Sequence, residues 1–296
     1  MKKKNKIDIF GAVALISFSL LLGINHVVIK VVNSGLDPIF FAGIRSVIAF
    51  FFLLICMKIW NKSIVLKKKY IFVSILAGLV FALEFLFLFL ALDFTSVSRN
   101  SIIYYSMPVW LACLAHFFIP NERLNFLMGI GLIMAFVGVT LSILNGVNDF
   151  SLSAETFWGD VLAILAAFTW ALLILLAKGT KFKEVSPEIQ LVWMVMVSGP
   201  VLILFSLILT DPIRDFEIIH LWGLLFQSII VVAGGFLFWL WLLSIYPASG
   251  VASFSFLTPI FTIFFGWLIL GESLTINFLF AAFLVIFGLI LINRQT

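Results

Sequence analysis

Long runs of apolar residues, separated by short polar segments, fill nearly the whole chain. Each run is about 20 residues long, which is enough for an α-helix to cross the hydrocarbon core of a bilayer. The runs lack the strict alternation expected of membrane β-strands. The pattern therefore predicts ten transmembrane helices, at residues 10–32, 38–57, 71–92, 98–119, 124–144, 157–177, 187–209, 218–243, 248–270 and 275–293.

The composition supports an all-α integral membrane protein with the lipid bilayer as its partner. Hydrophobic residues make up 64% of the chain and charged residues only 11%, whereas a soluble protein carries about 25% charged residues. The basic N-terminus and the apolar run behind it imitate a signal peptide. That run continues to about residue 32, far beyond the roughly 7–15 residues of a signal's apolar core. It predicts an uncleaved first helix.

Lys and Arg collect on one side of the predicted bundle. If the N-terminus lies in the cytoplasm and the ten helices alternate in direction, 14 of the 18 basic residues fall in cytoplasmic segments. Cytoplasmic loops of membrane proteins are enriched in these residues. The distribution predicts that both termini are cytoplasmic. It also attributes the net charge of +4 to topology, so no nucleic-acid partner is expected.

The two halves of the chain carry similar residues at a nearly constant spacing. Glu122 and Glu272 are 150 residues apart, and Pro108 and Pro259 are 151 apart. Because each half would hold five helices, an odd number, the second half must be inverted in the membrane. Two inverted five-helix repeats are an architecture typical of secondary transporters. The predicted repeats span residues 1–146 and 147–296.

With these features the chain resembles the EamA family of the drug/metabolite transporter superfamily. In that family each half has a mid-helix Pro, a short turn with Glu, and a last helix with Gly. Here these elements read Met107-Pro108-Val109, Asn121-Glu122-Arg123-Leu124 and Gly138, then Thr258-Pro259-Ile260, Gly271-Glu272-Ser273-Leu274 and Gly288. Asn121 stands where Gly is common. The resemblance implies transport of small metabolites or drugs, often export, across a bacterial cytoplasmic membrane.

Arg45 and Glu84 are charged residues within predicted helices. Helical rise places them about 10 and 12 Å from the same face of the membrane. Since an unpaired charge in the bilayer is costly, they are expected to lie within about 6 Å of each other or to meet through a water or a ligand. A static brace is the alternative to a cavity-lining role. Their repeat counterparts, Met194 and Gly235, are uncharged, which favours a role with substrate.

Pro108 and Pro259 are predicted to kink or break their helices near the membrane centre, because proline removes a backbone donor and strains the preceding turn. Interruptions at matching places in two halves point to a midplane binding site. A simple packing kink is the alternative. Tyr104 and Tyr105 precede Pro108 by about one turn and are assigned to the same site.

Four further side chains are candidates for the cavity. Asn25 and His26 lie in the first predicted helix, where a rotation of about 100° per residue lets at most one face a cavity squarely. A hydrogen bond between packed helices is the alternative for them. Trp170 is deep in the sixth helix, and Gln227 is the main polar residue of the eighth. Trp239, nearer the end of its helix, fits an interfacial aromatic belt.

Together these features predict a secondary transporter, an exporter or exchanger, of small polar or amphipathic metabolites such as amino acids, working by alternating access. The alternative is an intramembrane enzyme or a lipid-handling protein. The sequence has no phosphate-binding loop, metal-ligand spacing or catalytic triad, so no cofactor, metal or enzymatic activity is expected. The residues predicted to line the cavity are Arg45, Glu84, Tyr104, Tyr105, Trp170, Gln227, Asn25 and His26.

Overall fold

Helices dominate the computed structural model of the protein. It describes residues 4–62, 66–94, 97–119, 122–144, 154–270 and 276–293. Within these ranges the only extended pairing is a single bridge between Leu36 and Ile213. Asn121 and the turn Gly271-Glu272-Ser273-Leu274 lie outside the described residues.

Six helices lie in the first half of the chain. They are α1 (Ile9–Gly35), α2 (Pro38–Ile59), α3 (Lys68–Phe94), α4 (Val97–Tyr104), α5 (Met107–Phe118) and α6 (Phe126–Leu144).

The second half continues with α7 (Ala154–Gly179), α8 (Pro187–Leu209) and α9 (Ile218–Leu225). A π-helical stretch (Phe226–Phe236) joins α9 to α10 (Leu237–Ile245). The chain then forms α11 (Ala248–Ser253), α12 (Leu257–Leu270) and α13 (Ile276–Asn293). Short 3₁₀ segments lie at Lys181–Glu184 and Phe254–Phe256.

Six of the described helical segments are long and apolar enough to cross a membrane, and four shorter ones are also apolar. Large apolar side chains such as Phe72 and Ile208 stand about four-fifths exposed on the outside of the bundle. Soluble monomers rarely expose continuous apolar surface of this kind. The prediction of an all-helical, multi-pass membrane protein is confirmed at this level.

Helix starts follow from capping residues in the sequence. Asp8 accepts a hydrogen bond from the Gly11 N–H at 2.9 Å at the start of α1. Asp37 accepts from the N–H groups of Ile39 and Phe40, both at 3.0 Å, at the start of α2. The proline that follows Asp37 suits a first helical position, where its missing N–H is not needed.

Glycines let some helices pack very closely. A Cβ added to Gly131 on α6 would lie 2.7 Å from the backbone oxygen of Gly288 on α13. A Cβ on Gly43 of α2 would lie 2.9 Å from the backbone nitrogen of Ile203 on α8. Small residues at such crossings are typical of membrane helices, where close packing replaces the hydrophobic effect as the main attraction.

Helix packing between the halves occurs in matching pairs. α3 packs on α7, and α1 packs on the stretch from α9 to α10. α5 packs on α7, and α12 packs on α1. α3 contacts α8, and α2 contacts the π-helical stretch. These contacts join the two halves of the chain into one bundle.

Candidate functional site

A cavity lies in the middle of the bundle, between helices of both halves. The space open to the centres of water molecules is about 40 Å³, room for about three waters. Its wall is largely aromatic and aliphatic. The lining residues are Phe18, Leu22, Asn25, His26, Ile29, Phe81, Glu84, Phe85, Leu88, Tyr104, Tyr105, Trp170, Leu173, Leu191, Met194, Phe236, Trp239 and Leu240.

Glu84 is the acidic group among these lining residues. The Tyr104 hydroxyl donates to its Oε1 at 2.9 Å, while Oε2 is buried and has no hydrogen-bond partner in the structure. The Tyr104 ring stacks on Trp170, with ring centroids 4.9 Å apart and planes 18° apart. Residues of α3, α4 and α7 therefore place one carboxylate oxygen beside an aromatic wall.

Tyr105 and His26 form a second polar pair at the cavity. The hydroxyl and the His26 Nε2 are 2.8 Å apart, and their rings lie 5.5 Å apart. The Nδ1 of His26 is buried without a partner. The pair holds α1 against the turn between α4 and α5.

A chain of hydrogen bonds crosses between the halves just outside the cavity. Gln227 donates to the Asn25 side-chain oxygen and accepts from Arg45 Nη1 at 3.0 Å. The Arg45 guanidinium lies 3.9 Å above the ring of Phe85, a cation–π contact. Its Nε and Nη2 are buried with no hydrogen-bond partner.

The eight predicted site residues lie in one region of the structure but fall into two groups. Six line the cavity, whereas Arg45 and Gln227 lie behind its wall. No direct hydrogen bond joins Arg45 to Glu84 in the described part of the chain, because the guanidinium turns toward Gln227 and Phe85. A link between them through a water or a ligand stays a prediction.

Asn25 and His26 both lie beside the cavity. The Asn25 side chain bonds Gln227 behind the wall, and the His26 side chain bonds Tyr105 in the wall, so the expectation that at most one of them faces the cavity squarely stays a prediction. The expectation that Trp239 belongs to an interfacial belt was wrong. Trp239 is 6% exposed, lines the cavity and stacks on Phe18.

The helices of both predicted prolines are interrupted next to them. A turn at Tyr105 and Ser106 separates α4 from α5, and the 3₁₀ segment Phe254–Phe256 separates α11 from α12. Pro108 and Pro259 follow these breaks and are buried. The π-helical stretch that carries Gln227 was not foreseen, since its apolar sequence shows no breaker other than the Gly234-Gly235 pair.

Glu122, which the sequence marked only as a repeat residue, ties the halves together. Its carboxylate accepts from the N–H groups of Ala248 and Ser249 at 2.7 and 2.8 Å, and from the Ser249 hydroxyl at 2.9 Å. These donors open α11, so the carboxylate caps a helix of the other half. The acidic residue in the turn was the signal that could have predicted such a cap.

Polar contacts between the halves close the face at which residues 4–8 lie, here called the N-terminal face. Lys62 pairs with Glu188, and Glu184 accepts from Tyr70 at 2.5 Å and from Lys69 at 3.2 Å. The hydrogen bonds from Tyr70 and Lys69 lower the pKa of Glu184. It therefore stays ionised at neutral pH.

The opposite face is closed by backbone and ionic contacts. Asp37 N–H donates to the Pro212 carbonyl at 3.0 Å, and Arg214 N–H donates to the Gly35 carbonyl at 3.1 Å. Arg214 also pairs with Asp93 at 2.9 Å. Contacts between the halves thus lie on both sides of the cavity.

A bundle of long apolar helices that encloses a central cavity with a few polar groups is an architecture found in membrane transport proteins. The chain belongs to the EamA-like transporter family, which matches it at residues 9–144 and 157–294. The predicted family is thereby confirmed.

Relatives extend over nearly the whole chain. The "Uncharacterized transporter YoaV" of Bacillus subtilis (strain 168) is 26% identical over 93% of this chain and 94% of its own length. The "Probable amino-acid metabolite efflux pump" of Salmonella typhimurium is 25% identical over 90% of this chain and 89% of its own. A protein of known crystal structure shares the fold, with TM-score 0.81 at 15% identity, covering 95% of this chain and 96% of that one.

Proposed function

We propose that the protein is a secondary transporter, an exporter or exchanger, of small polar or amphipathic metabolites such as amino acids. The observation that carries this proposal is the cavity between the two halves, where Glu84, Tyr104 and His26 place polar groups in an otherwise apolar wall. The Salmonella relative, whose printed name refers to amino-acid metabolites, supports the substrate class.

The same proposal includes ten membrane-spanning helices arranged as two inverted repeats, residues 1–146 and 147–296. The family matches the chain twice, once in each half. The packing contacts between helices come in counterparts. α4 with α5, and α11 with α12, each join across a break into a segment long enough to complete a span.

We place the N-terminal face in the cytoplasm of a cell whose cytoplasmic membrane holds the protein. The support is the positive charge, since 14 of the 18 basic residues belong to that side under this topology.

Alternating access would open one face at a time. A cavity of about 40 Å³ is too small for an amino acid and is closed on both sides by contacts between the halves. Binding of a metabolite therefore requires one set of contacts to separate. Rocking of the halves about the cavity provides this movement.

Transport through the cavity is tested by the same substitution at two places on α8. Leu191 lines the cavity, whereas Leu204 is 59% exposed on the outside of the bundle. Purified protein in proteoliposomes would be screened for uptake of a panel of amino acids, amines and related metabolites.

We expect Leu191→Phe to abolish the uptake seen with the unmodified protein, because the added ring fills the cavity. Leu204→Phe should leave uptake unchanged. Thermal unfolding would show whether Leu191→Phe is folded. If the folded variant took up as much metabolite as the unmodified protein, transport through this cavity would be contradicted.

A further inference from the structure

We infer that Glu84 anchors the ammonium group of the substrate, and that the preferred substrates are small organic amines with an apolar or aromatic body. This inference rests on the proposed function and names the substrate class of the same cavity.

The Glu84 carboxylate offers one unused acceptor to the cavity. Its side chain lines the cavity and the residue is 3% exposed. Tyr104 occupies Oε1, and Oε2 has no hydrogen-bond partner. A buried acceptor without a partner is costly. An ammonium group donates hydrogen bonds and carries the opposite charge, so it satisfies this atom best.

The wall offers no comparable site for a carboxylate. No Lys or Arg is among the lining residues. Arg45 is close, but it donates to Gln227 and lies against Phe85. A substrate carboxylate would thus enter a cavity that already holds Glu84 and gain no exposed cation. The charge of the lining favours a cationic substrate over an anionic one.

Aromatic side chains surround the part of the cavity that holds Glu84. Tyr104, which bonds Glu84, stacks on Trp170, and Trp170 lies 6.3 Å from Trp239. Aromatic faces attract ammonium groups through cation–π contact and also bury apolar groups. The lining therefore has room for both parts of an amphipathic amine once the cavity widens.

Three ligands with the same phenylethyl body test the charge preference. They are phenethylamine, phenylalanine and 3-phenylpropionate, which carry an ammonium, both charges and a carboxylate. Binding to protein in nanodiscs would be measured by titration calorimetry. We expect phenethylamine to bind at least about 10-fold more tightly than either acid.

Glu84→Gln keeps the shape and the acceptor for Tyr104 but removes the charge. We expect it to weaken phenethylamine binding roughly 10- to 100-fold and to abolish the preference. The thermal unfolding of Glu84→Gln, compared with that of the unmodified protein, shows whether the variant still folds. Asp211→Asn, at an exposed acid away from the cavity, is the matched charge control.

Tighter binding of 3-phenylpropionate, absence of phenethylamine binding, or full affinity in Glu84→Gln would each overturn the inference. The proposed function is judged separately by the metabolite screen. If the protein took up other metabolites and Leu191→Phe blocked that uptake, the proposed transport function would hold even though the amine preference had failed.

Discussion

Gln227 is a neutral side chain that serves two partners from the opposite half. Its amide oxygen accepts from Arg45, and its amide nitrogen donates to Asn25. A carboxamide suits this place, because it combines an acceptor and a donor without adding a charge. Gln227 accepts from the Nη1 of Arg45, whereas the Nε and Nη2 of Arg45 have no partner in the structure.

We expect Gln227→Leu to lower stability by about 2–3 kcal/mol, because the buried guanidinium and Asn25 lose their partner. The measurement is thermal unfolding of the purified protein. Ser228→Ala is the control, since that neighbouring buried hydroxyl bonds only within its helix, to the Leu224 carbonyl. Equal unfolding temperatures for the two variants would show that the Gln227 contacts do not hold the halves together.

Polar residues in an apolar chain could be found from sequence, but their partners could not. Asn25, His26 and Glu84 stand out because such residues are rare in membrane helices. Depth along the helix predicted that Arg45 and Glu84 lie near each other or meet through a water or a ligand. It could not predict that the guanidinium lies over the Phe85 ring and donates to Gln227, since no local pattern encodes those contacts.

Helix interruptions at the site arise in two different ways. The prolines predicted the breaks beside Pro108 and Pro259, since a proline has no N–H group to donate to a carbonyl of the preceding turn. The π-helical stretch has no such residue, so its position depends on the surrounding helices. Stretches of this kind occur often at functional sites, and this one carries Gln227 and Phe236.

The close crossing of α6 and α13 can be tested by alanine substitutions at two glycines of α6. At Gly131 an added Cβ would meet the Gly288 carbonyl at 2.7 Å, whereas at Gly129 nothing lies within 4 Å. Gly131→Ala should destabilise the protein by roughly 1–3 kcal/mol, because backbone must move. Gly129→Ala should be neutral or stabilising by up to about 1 kcal/mol, owing to better helix propensity.

Both variants would be compared by thermal unfolding and by yield of monodisperse protein. If Gly129→Ala lost as much stability as Gly131→Ala, the crossing would not be as close as the structure has it.

At the scale of the whole molecule, the proposed orientation of the bundle rests on the distribution of Lys and Arg. A fluorescent reporter that folds only in the cytoplasm, fused after Thr296, should be active, because the ten proposed spans would return the chain to the starting side. The same reporter fused after Asp211, at the opposite face, should be dark. Exported phosphatase fusions should give the reverse pattern, and phosphatase activity after Thr296 would rule out the ten-span topology.

A chain of long apolar helices that cross a membrane could be predicted from sequence, because the need of a run of apolar residues to form a helix in the bilayer hardly depends on tertiary context. How the halves close on each other could not. The contacts of Glu122 with α11, and of Lys62 with Glu188, join residues far apart in the chain. Only the folded bundle brings these residues together.

The most direct test of the account asks whether metabolite exchange across the membrane requires the two halves to separate at the N-terminal face. Lys62 and Glu188 pair across the two halves there. Cysteines at both positions, in protein whose Cys56 and Cys113 are replaced by Ser, can be joined by a bis-methanethiosulfonate cross-linker, which spans more than a direct disulfide and is removed by reduction. Proteoliposomes loaded with a transported metabolite would then be assayed for transient accumulation of the same labelled metabolite from outside, with each single-cysteine variant as control.

The account predicts accumulation in the untreated protein, its loss when the double-cysteine variant alone is cross-linked, and its return on reduction. Undiminished exchange by the fully cross-linked protein would contradict alternating access between these two halves.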